Sequence, residues 1–320
     1  MKLSIIIPAY NAGYHLDRCV ESCERQDVDK QDYEVIIVND GSADDTVFVA
    51  KNLSNKYGNI KVISQKNQGT AVARNNGLEE AEGDYVWFVD SDDYIEDGSL
   101  KRIMDKIDSH HRPDVFLIRM KILYQGSVLY GGHESAEDFE TSGKEFIMSG
   151  YGPSSACILI CKRAFLMLNN LKFTPSMFLE DGEFSLRCLS LSKRIAFTAK
   201  PEYVYEVNED SKTSMKDLKS ENKKIWGNVP LAKSWKQFAH TLTDTNLASY
   251  IIRRANSALA GTLVLLDELK VSGADKKYKH DFIIKMRDED CFPLKGPYLS
   301  WKMNIYSVFL NLRAYLKYIL

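Results

Sequence analysis

Residues 85–99 have the sequence YVWFVDSDDYIEDGS, in which an apolar run is followed at once by carboxylates. The run 85–89 contains aromatic and β-branched residues and predicts a buried strand. Asp90, Asp92 and Asp93 come directly after it. Like charges this close repel each other, and the repulsion grows where water is excluded. The stretch therefore predicts a strand end that needs a source of positive charge.

The first hundred residues alternate between short apolar runs and segments whose apolar residues have helical spacing. The predicted strands are 3–7 (closed by Pro8), 34–38, 60–64 and 85–89, and the predicted helices are 15–26, 44–58 and 70–81. Strands separated by helices indicate βαβ units. The expected fold class is therefore α/β, with a mainly parallel sheet and helices on both of its faces.

Polar loops follow three of these strands: PAYN (8–11), NDGS (39–42) and DSDD (90–93). In parallel sheets, ligands bind beyond the carboxyl ends of the strands. Each loop alone has another interpretation. NDGS fits an ordinary turn in which Gly41 supplies a permissive backbone, and DSDD fits a solvated loop that caps a helix near Asp97. Three such loops at one edge of a sheet nevertheless favour a binding site.

Two common phosphate-binding loops do not occur in this sequence. The segment after the first strand, PAYNAGYHL (8–16), has one glycine where G-x-G-x-x-G needs three, and G-x-x-x-x-G-K-[ST] is missing altogether. Mg²⁺ or Mn²⁺, in contrast, is held by one or two carboxylates together with substrate phosphates and water. We therefore predict that a metal–diphosphate offsets the charge of Asp90, Asp92 and Asp93.

Four segments, taken in order, resemble the family 2 glycosyltransferases of GT-A fold that act in bacterial polysaccharide biosynthesis. The segments are LSIIIPAYNAGYHLDRCVES (3–22), YEVIIVNDGSADDT (33–46), NQGTAVARNNGLEEAEGDYVWFVDSDD (67–93) and FLEDGEFSLRC (178–188). The resemblance extends over roughly residues 1–210. It implies an inverting, metal-dependent transfer of one sugar from a nucleotide-diphosphate sugar, with UDP expected, to a hydroxyl of a glycan or lipid-linked acceptor. The transferred group would be a hexose or an N-acetylhexosamine.

The resemblance also implies which residues hold the nucleotide. Pro8 and Tyr10 would form walls of the nucleobase pocket, and Asp40 would accept a hydrogen bond from the base, commonly uracil. Gly69 would let the nucleotide approach the backbone closely. Arg74 would lie near the base or the phosphates, although a surface ion pair is the alternative for this residue.

The same resemblance implies the catalytic groups. Asp92 would bind the metal, Mn²⁺ or Mg²⁺, and Asp90 would bind the ribose or the metal. Asp181 would be the base that takes the acceptor proton, with Glu180 beside it. Simple capping of the following helix is the alternative for these two acids. A helix N-terminus lowers the pKa of a carboxyl, so we expect a partly dry pocket to offset this effect.

The segment PEYVYEVNEDSKTS (201–214) resembles the end of the catalytic domain in bacterial relatives, where Y-x-Y-R precedes a loop that contains serine. Glu206 stands at the usual arginine position, so it is not predicted to be a site residue. Ser211 and Ser214 would belong to a lid. The sequence lacks the Q-x-x-R-W motif and the transmembrane helices of processive synthases, which favours the addition of a single sugar.

From about residue 215 onward the sequence predicts helices, among them 248–270 and 301–320. We therefore expect a catalytic domain at 1–214 and a helical region at 215–320. The last helix places Trp301, Ile305, Val308, Phe309, Leu312, Leu316 and Ile319 at helical spacing. Two interpretations fit this helix: it packs on the catalytic domain or on a second subunit of a homo-oligomer, or it lies on anionic lipid.

The composition narrows the function further. The net charge of −2 gives no general attraction to nucleic acid, and the six cysteines form no C-x-x-C pair. Buried free thiols and the lack of a signal segment predict a cytoplasmic protein, with peripheral contact to the inner face of the membrane as an addition. Two other functions stay open. A non-catalytic nucleotide-sugar-binding protein is one, and a sugar nucleotidyltransferase, which needs a G-x-G-T-R loop, is the other.

Overall fold

The structure is a computed structural model that describes residues 2–152, 155–207 and 217–319. Its contacts divide the chain into two units, one formed by Met1–Ser176 and Glu180–Val207, the other by Met177–Leu179 and Asn208–Leu320. The predicted boundary between residues 214 and 215 lies outside the described residues, as do Ser211 and Ser214 of the predicted lid. The division into 1–214 and 215–320 and the lid therefore stay predictions.

Strands and helices alternate through the first unit, and the second unit consists of helices. The strands are β1 (Leu3–Ala9), β2 (Tyr33–Asn39), β3 (Ile60–Ser64), β4 (Tyr85–Phe88), β5 (Tyr94–Ile95), β6 (Val115–Tyr124), β7 (Ser127–Gly131), β8 (Phe139–Thr141), β9 (Leu159–Lys162) and β10 (Ile195–Glu206). The helices are α1 (Leu16–Glu24), α2 (Thr46–Lys56), α3 (Thr70–Glu80), α4 (Ser99–Ser109), α5 (Gly143–Met148), α6 (Arg163–Leu168), α7 (Glu180–Leu191), α8 (Leu218–Thr241), α9 (Thr245–Glu268), α10 (Lys276–Asp288) and α11 (Trp301–Ala314), which continues into a π-helical turn (Tyr315–Ile319).

One sheet contains the ten strands of the described residues, in the order β3-β2-β1-β4-β9-β6-β10-β5 along its main path. The first four strands are parallel, and every residue of β1 and β2 is buried, as expected for a sheet covered on both faces. The other half is mixed, because β9 runs antiparallel to both β4 and β6. The predicted α/β fold with a mainly parallel sheet is confirmed for the half that contains β1 to β4.

Pro8 does not close the first strand, as the sequence suggested, but lies within it. The strand continues to Ala9, and Pro8 is paired in register with Val38 of β2. The Ile6 carbonyl accepts from the Val89 N–H at 3.0 Å, so the backbone polar groups of Ile6 point towards β4. The backbone of Pro8, two residues later in the strand, points to the same side, but proline has no N–H to donate to β4. Pairing with β4 therefore ends here while pairing with β2 continues, which opens the sheet at the edge where the polar loops lie.

Helix α3 packs directly on β1, and Gly77 makes this possible. A Cβ atom at Gly77 would lie 2.4 Å from Cγ2 of Ile6 and 3.2 Å from Cγ2 of Val38. The glycine that weakens the helical pattern in sequence therefore permits the close contact between helix and sheet. The same helix carries Arg74, which is fixed against the sheet as a result.

The second unit bears out the predicted helical character. The predicted helix 248–270 is α9, and the predicted helix 301–320 is α11 with its π-helical turn. Across the described residues, no helix is both long and apolar enough to cross a membrane. All six cysteines are buried free thiols, which confirms that prediction.

Candidate active site

Arg74 joins two motifs that lie far apart in the sequence. Its side chain is almost fully buried, and Nη2 donates to Oδ1 of Asp90 at 2.7 Å. Nη1 donates to Oδ1 of Asp181 at 2.5 Å, and it lies 3.6 Å from the carboxylate of Glu180. The guanidinium also lies 5.1 Å from the ring centroid of Phe173. The alternative of a surface ion pair is therefore wrong, because this arginine is buried between the DSD and ED motifs.

Glu180 and Asp181 occupy the first two positions of α7. Besides Arg74, the Ala156 N–H donates to Asp181, at 3.3 Å from Oδ2. Neither donor belongs to α7, so capping of that helix does not account for the position of Asp181. Burial raises the pKa of Asp181, although Arg74 acts in the opposite direction. Burial, followed by the charge of Asp181, raises the pKa of Glu180 to about 7. Two carboxyl groups with raised pKa values are suited to accept a proton at neutral pH.

The three aspartates of DSDD have separate surroundings. Asp90 is neutralised by Arg74 and also accepts from the Cys157 thiol at 3.2 Å. Asp93 is buried, and the Tyr203 hydroxyl donates to it at 2.5 Å. Burial and the charge of Asp90 raise the pKa of Asp93 to about 8. Asp92 stays exposed. That a metal–diphosphate offsets the charges of Asp90, Asp92 and Asp93 stays a prediction.

Asp92 is a carboxylate whose surroundings are suited to binding a cation. Although Asp92 keeps solvent contact, desolvation by the surrounding protein atoms and the charge of Asp90 raise its pKa, which indicates that nearby cations of the chain do not fully compensate its charge. Across the described residues, no three His, Cys, Asp or Glu side chains form a ready-made metal site. A metal held by a diphosphate needs only one or two carboxylates, so Asp92 fits this role and Asp90, paired with Arg74, fits it less well. The metal assignment stays a prediction.

The DSDD loop does not cap a helix near Asp97. Strand β5 follows the loop first and pairs with β10, and α4 begins only at Ser99. The residue before α4 is Gly98, which offers no capping side chain. The alternative of a capping loop is therefore wrong.

Asp40 orders the loop between β3 and α3. Its Oδ1 accepts from Gln65 Nε2 and from the Gln68 N–H, each at 2.8 Å, and its Oδ2 accepts from the Gly69 N–H at 2.9 Å. A carboxylate offers about four acceptor positions, so room for one more donor remains. A hydrogen bond from a nucleobase to Asp40 therefore stays a prediction. Gly69 has φ +91°, a conformation that favours glycine, while a Cβ there would meet open space.

The first two polar loops are tied to each other. The Asn11 N–H donates to Ser42 Oγ at 3.0 Å, and Asn11 Oδ1 accepts from the Ala43 N–H at 2.9 Å. NDGS is also an ordinary turn, since Asn39 Oδ1 accepts from the Ser42 N–H at 3.1 Å. Pro8 is buried and Tyr10 is 42% exposed at the same edge. The predicted convergence of these loops is confirmed, whereas the roles of Pro8 and Tyr10 as pocket walls stay predictions.

The sequence did not predict that the guanidinium of Arg18 lies beside the DSDD loop. Arg18 of α1 donates from Nη2 to the Asp92 carbonyl at 2.6 Å, forms an ion pair with Glu206 and lies over the Tyr94 ring. Glu206 stands where the Y-x-Y-R pattern has arginine, and this departure could have indicated Arg18. A carboxylate in place of the arginine needs a positively charged side chain from elsewhere in the chain to pair with it. Nothing in the local sequence of α1 pointed to Arg18, and nothing pointed to Cys157 or Tyr203.

Comparison with known proteins now decides the family. The family described as Glycosyl transferase family 2 matches residues 4–167, about half of the chain. The chain belongs to this family. It is 32% identical over 213 residues to poly(ribitol-phosphate) beta-N-acetylglucosaminyltransferase TarS of Staphylococcus aureus (strain Mu50), covering 66% of this chain and 36% of TarS. It is 30% identical over 214 residues to the poly(ribitol-phosphate) beta-glucosyltransferase of Bacillus spizizenii, covering 66% of this chain and 33% of that enzyme.

Solved structures agree with this family 2 assignment. The crystal structure of residues 1–349 of S. aureus TarS in complex with UDP has a TM-score of 0.69 and 25% identity, and the match covers 98% of this chain and 89% of that one. The resemblance to bacterial family 2 glycosyltransferases of GT-A fold is therefore confirmed. The chain spans only about a third of the length of the curated relatives it matches.

Proposed function

We propose that the chain transfers a single sugar, with inversion, from a UDP-sugar to a hydroxyl of a glycan or lipid-linked acceptor in cell-surface polysaccharide synthesis. The observation that carries this proposal is Arg74, which holds Asp90 and Asp181 together at the open edge of the sheet. A protein that only binds nucleotide sugars has no need for a half-buried carboxyl pair with raised pKa values opposite DSD. The named substrates of the relatives make poly(ribitol-phosphate) the first acceptor to test.

In the proposed reaction, the bond between the anomeric carbon and the diphosphate oxygen breaks, and UDP leaves with the bonding electron pair. The acceptor oxygen attacks the opposite face of the sugar and forms the new glycosidic bond. The proton of the acceptor hydroxyl passes to a carboxylate, and we assign this base to Asp181, with Glu180 beside it. General-base catalysis of this kind contributes about 10²–10⁴-fold in rate.

Arg74 has a distinct part in this scheme. Its ion pair keeps Asp181 ionised and ready for the proton, while burial makes the same carboxylate more basic. Asp92, with Asp90 next to it, would hold Mn²⁺ or Mg²⁺ through the donor diphosphate. The cation, when bound, stabilises the negative charge that develops on the leaving diphosphate.

Calorimetric titration of UDP tests the donor site. We expect binding with Mn²⁺ that is lost with EDTA and lost in Asp92→Ala. The matched control is Asp105→Ala, which removes an aspartate exposed on α4 and should bind as the unmodified protein does. Unchanged binding in Asp92→Ala would contradict the metal assignment, and no UDP binding by folded protein would contradict the choice of UDP.

Transfer assays test the base. With UDP-sugars and poly(ribitol-phosphate), we expect Asp181→Asn to slow transfer about 10²–10⁴-fold while UDP binding is kept. Glu180→Gln should have a smaller effect, and the reverse order would make Glu180 the base. Donor cleavage without pyrophosphate exchange separates the transferase from a nucleotidyltransferase, and a complete lack of turnover in all assays would favour the non-catalytic binding protein.

We also propose that residues 1–214 form the catalytic domain and residues 215–320 a helical region. The change of unit after Val207 supports this division, although Met177–Leu179 are grouped with the second unit. A fragment of residues 1–214 should unfold cooperatively in urea and bind UDP without residues 215–320. A fragment that does not unfold cooperatively would contradict the proposed boundary.

A further inference from the structure

Helix α11 presents its apolar side to solvent. The residues of this helix and its π-helical turn that are buried are Ser307, Leu310, Ala314 and Tyr318. Six of the seven apolar positions predicted from the sequence lie elsewhere and are 54–69% exposed: Trp301, Ile305, Val308, Phe309, Leu312 and Leu316. The neighbouring helices of the second unit therefore leave these six residues uncovered, and both packing on a partner and contact with lipid stay predictions.

The exposed stripe is continuous along the helix. At about 100° per residue, these six positions occupy one side of α11, and the buried residues occupy the opposite side. A groove of about 520 Å³ lies between the stripe and its flank, and it is lined by Tyr306, Phe309, Leu310, Leu312, Arg313, Leu316 and Lys317. Monomeric soluble proteins rarely expose a contiguous stripe of six large apolar side chains unless the stripe binds a partner.

Basic residues flank the stripe. Lys302, Arg313 and Lys317 follow one another along one side, and residues 301–320 contain no Asp or Glu. Across the described residues, Asp267 is the carboxylate that pairs with these bases, contacting Arg313 Nη2 at 2.5 Å and Lys317 Nζ at 2.7 Å. One carboxylate cannot neutralise three bases, so the flank keeps a positive charge.

We propose that residues 301–319 form an interfacial helix that lies on an anionic lipid bilayer. The apolar stripe enters the boundary between headgroups and acyl chains, and the flanking bases contact lipid phosphates. The charge pattern favours this partner over a second copy of the chain. A symmetric pair of these helices would bring the bases of both copies to one interface, with no acidic side chain from either helix to pair with them.

Vesicle flotation of the full chain tests the proposal without any sugar transfer, so its failure is separate from failure of the proposed function. We expect co-flotation with vesicles of phosphatidylcholine and phosphatidylglycerol (3:1) and much weaker flotation with phosphatidylcholine alone. Phe309→Glu should lower the partition coefficient onto the vesicles about tenfold or more, because it removes the burial of one Phe side chain in the acyl region. Lys302→Gln should weaken binding to the anionic vesicles and leave binding to neutral vesicles unchanged.

The matched control is Phe48→Glu on α2, where the aromatic side chain is 66% exposed, close to the 61% of Phe309. It should float as the unmodified protein does. Because both substitutions are at exposed positions, circular dichroism should show the same fold in each. The proposal is overturned if the unmodified protein does not float, or if Phe48→Glu loses as much binding as Phe309→Glu. It is also overturned if sedimentation shows an oligomer that Phe309→Glu dissociates while vesicle binding is absent, since the stripe would then be a contact between copies.

Discussion

Asp40 and Asp90 both follow parallel strands of the same sheet, yet the protein satisfies their charges in different ways. Asp40 accepts from two backbone N–H groups and one amide, all from the loop at 65–69. Asp90 is paired with the guanidinium of Arg74, which also binds Asp181 from a distant segment. The first arrangement orders one loop with neutral donors. The second joins three segments through one buried cation, so the two aspartates should respond differently to substitution.

The largest effect is expected for Arg74→Gln. This change leaves Asp90 and Asp181 without their cation in a largely buried site, and loss of one partner from such a pair costs about 3–5 kcal/mol. Urea denaturation at pH 7 measures the free energy of unfolding. Arg112→Gln is the control, since Arg112 pairs with Asp84 at the surface and should cost no more than about 1 kcal/mol. Equal losses in the two variants would show that Arg74 is not the structural link between the motifs.

The next effect concerns pH and Glu180. The pKa of Glu180 is raised from 4.5 to about 7 in the folded protein, chiefly by burial. Between these values the folded state keeps a proton that the unfolded state releases, so stability falls as pH rises through this window, by up to about 1.4 kcal/mol per pH unit. Over the window, Glu180 accounts for about 3 kcal/mol of lost stability.

The free energy of unfolding, measured by urea denaturation at pH 5 and pH 8, checks this sign. Glu180→Gln cannot ionise, so the loss of stability between the two pH values should be smaller by about 3 kcal/mol than in the unmodified protein. Glu145→Gln, a change at an exposed carboxyl whose pKa is lowered, is the control and should not reduce the loss. If both variants lose as much stability as the unmodified protein, the environment of Glu180 is not the one described.

The two regions also differ in how far the sequence could predict them. The polar loop NDGS (39–42) and the parallel strands depend on local signals, namely apolar runs and polar strand ends, and both were predicted, whereas the bonds from Asp40 to residues 65–69 were not. The pairing of Arg74 with Asp181 was not, because it depends on packing that brings α3 and α7 to one point. Gly77 allows the close packing of α3, and no pattern in the sequence distinguishes that role from helix weakening. The exposure of the stripe on α11 was likewise undetermined, since helical periodicity does not tell which side is covered.

The smallest effect is expected for Asp40→Asn. The amide keeps one oxygen for Gln65 and Gln68 but turns an N–H₂ group towards the Gly69 N–H, which loses its acceptor. An unpaired donor at this buried position costs about 1–3 kcal/mol, measured by urea denaturation. Asp45→Asn is the control, because Asp45 precedes α2 without a side-chain capping bond. If both variants cost the same, Asp40 does not order the loop. If Asp40→Asn costs as much as Arg74→Gln, neutral donors hold the loop at 65–69 as firmly as the buried cation holds Asp90 and Asp181, and the contrast between the two aspartates disappears.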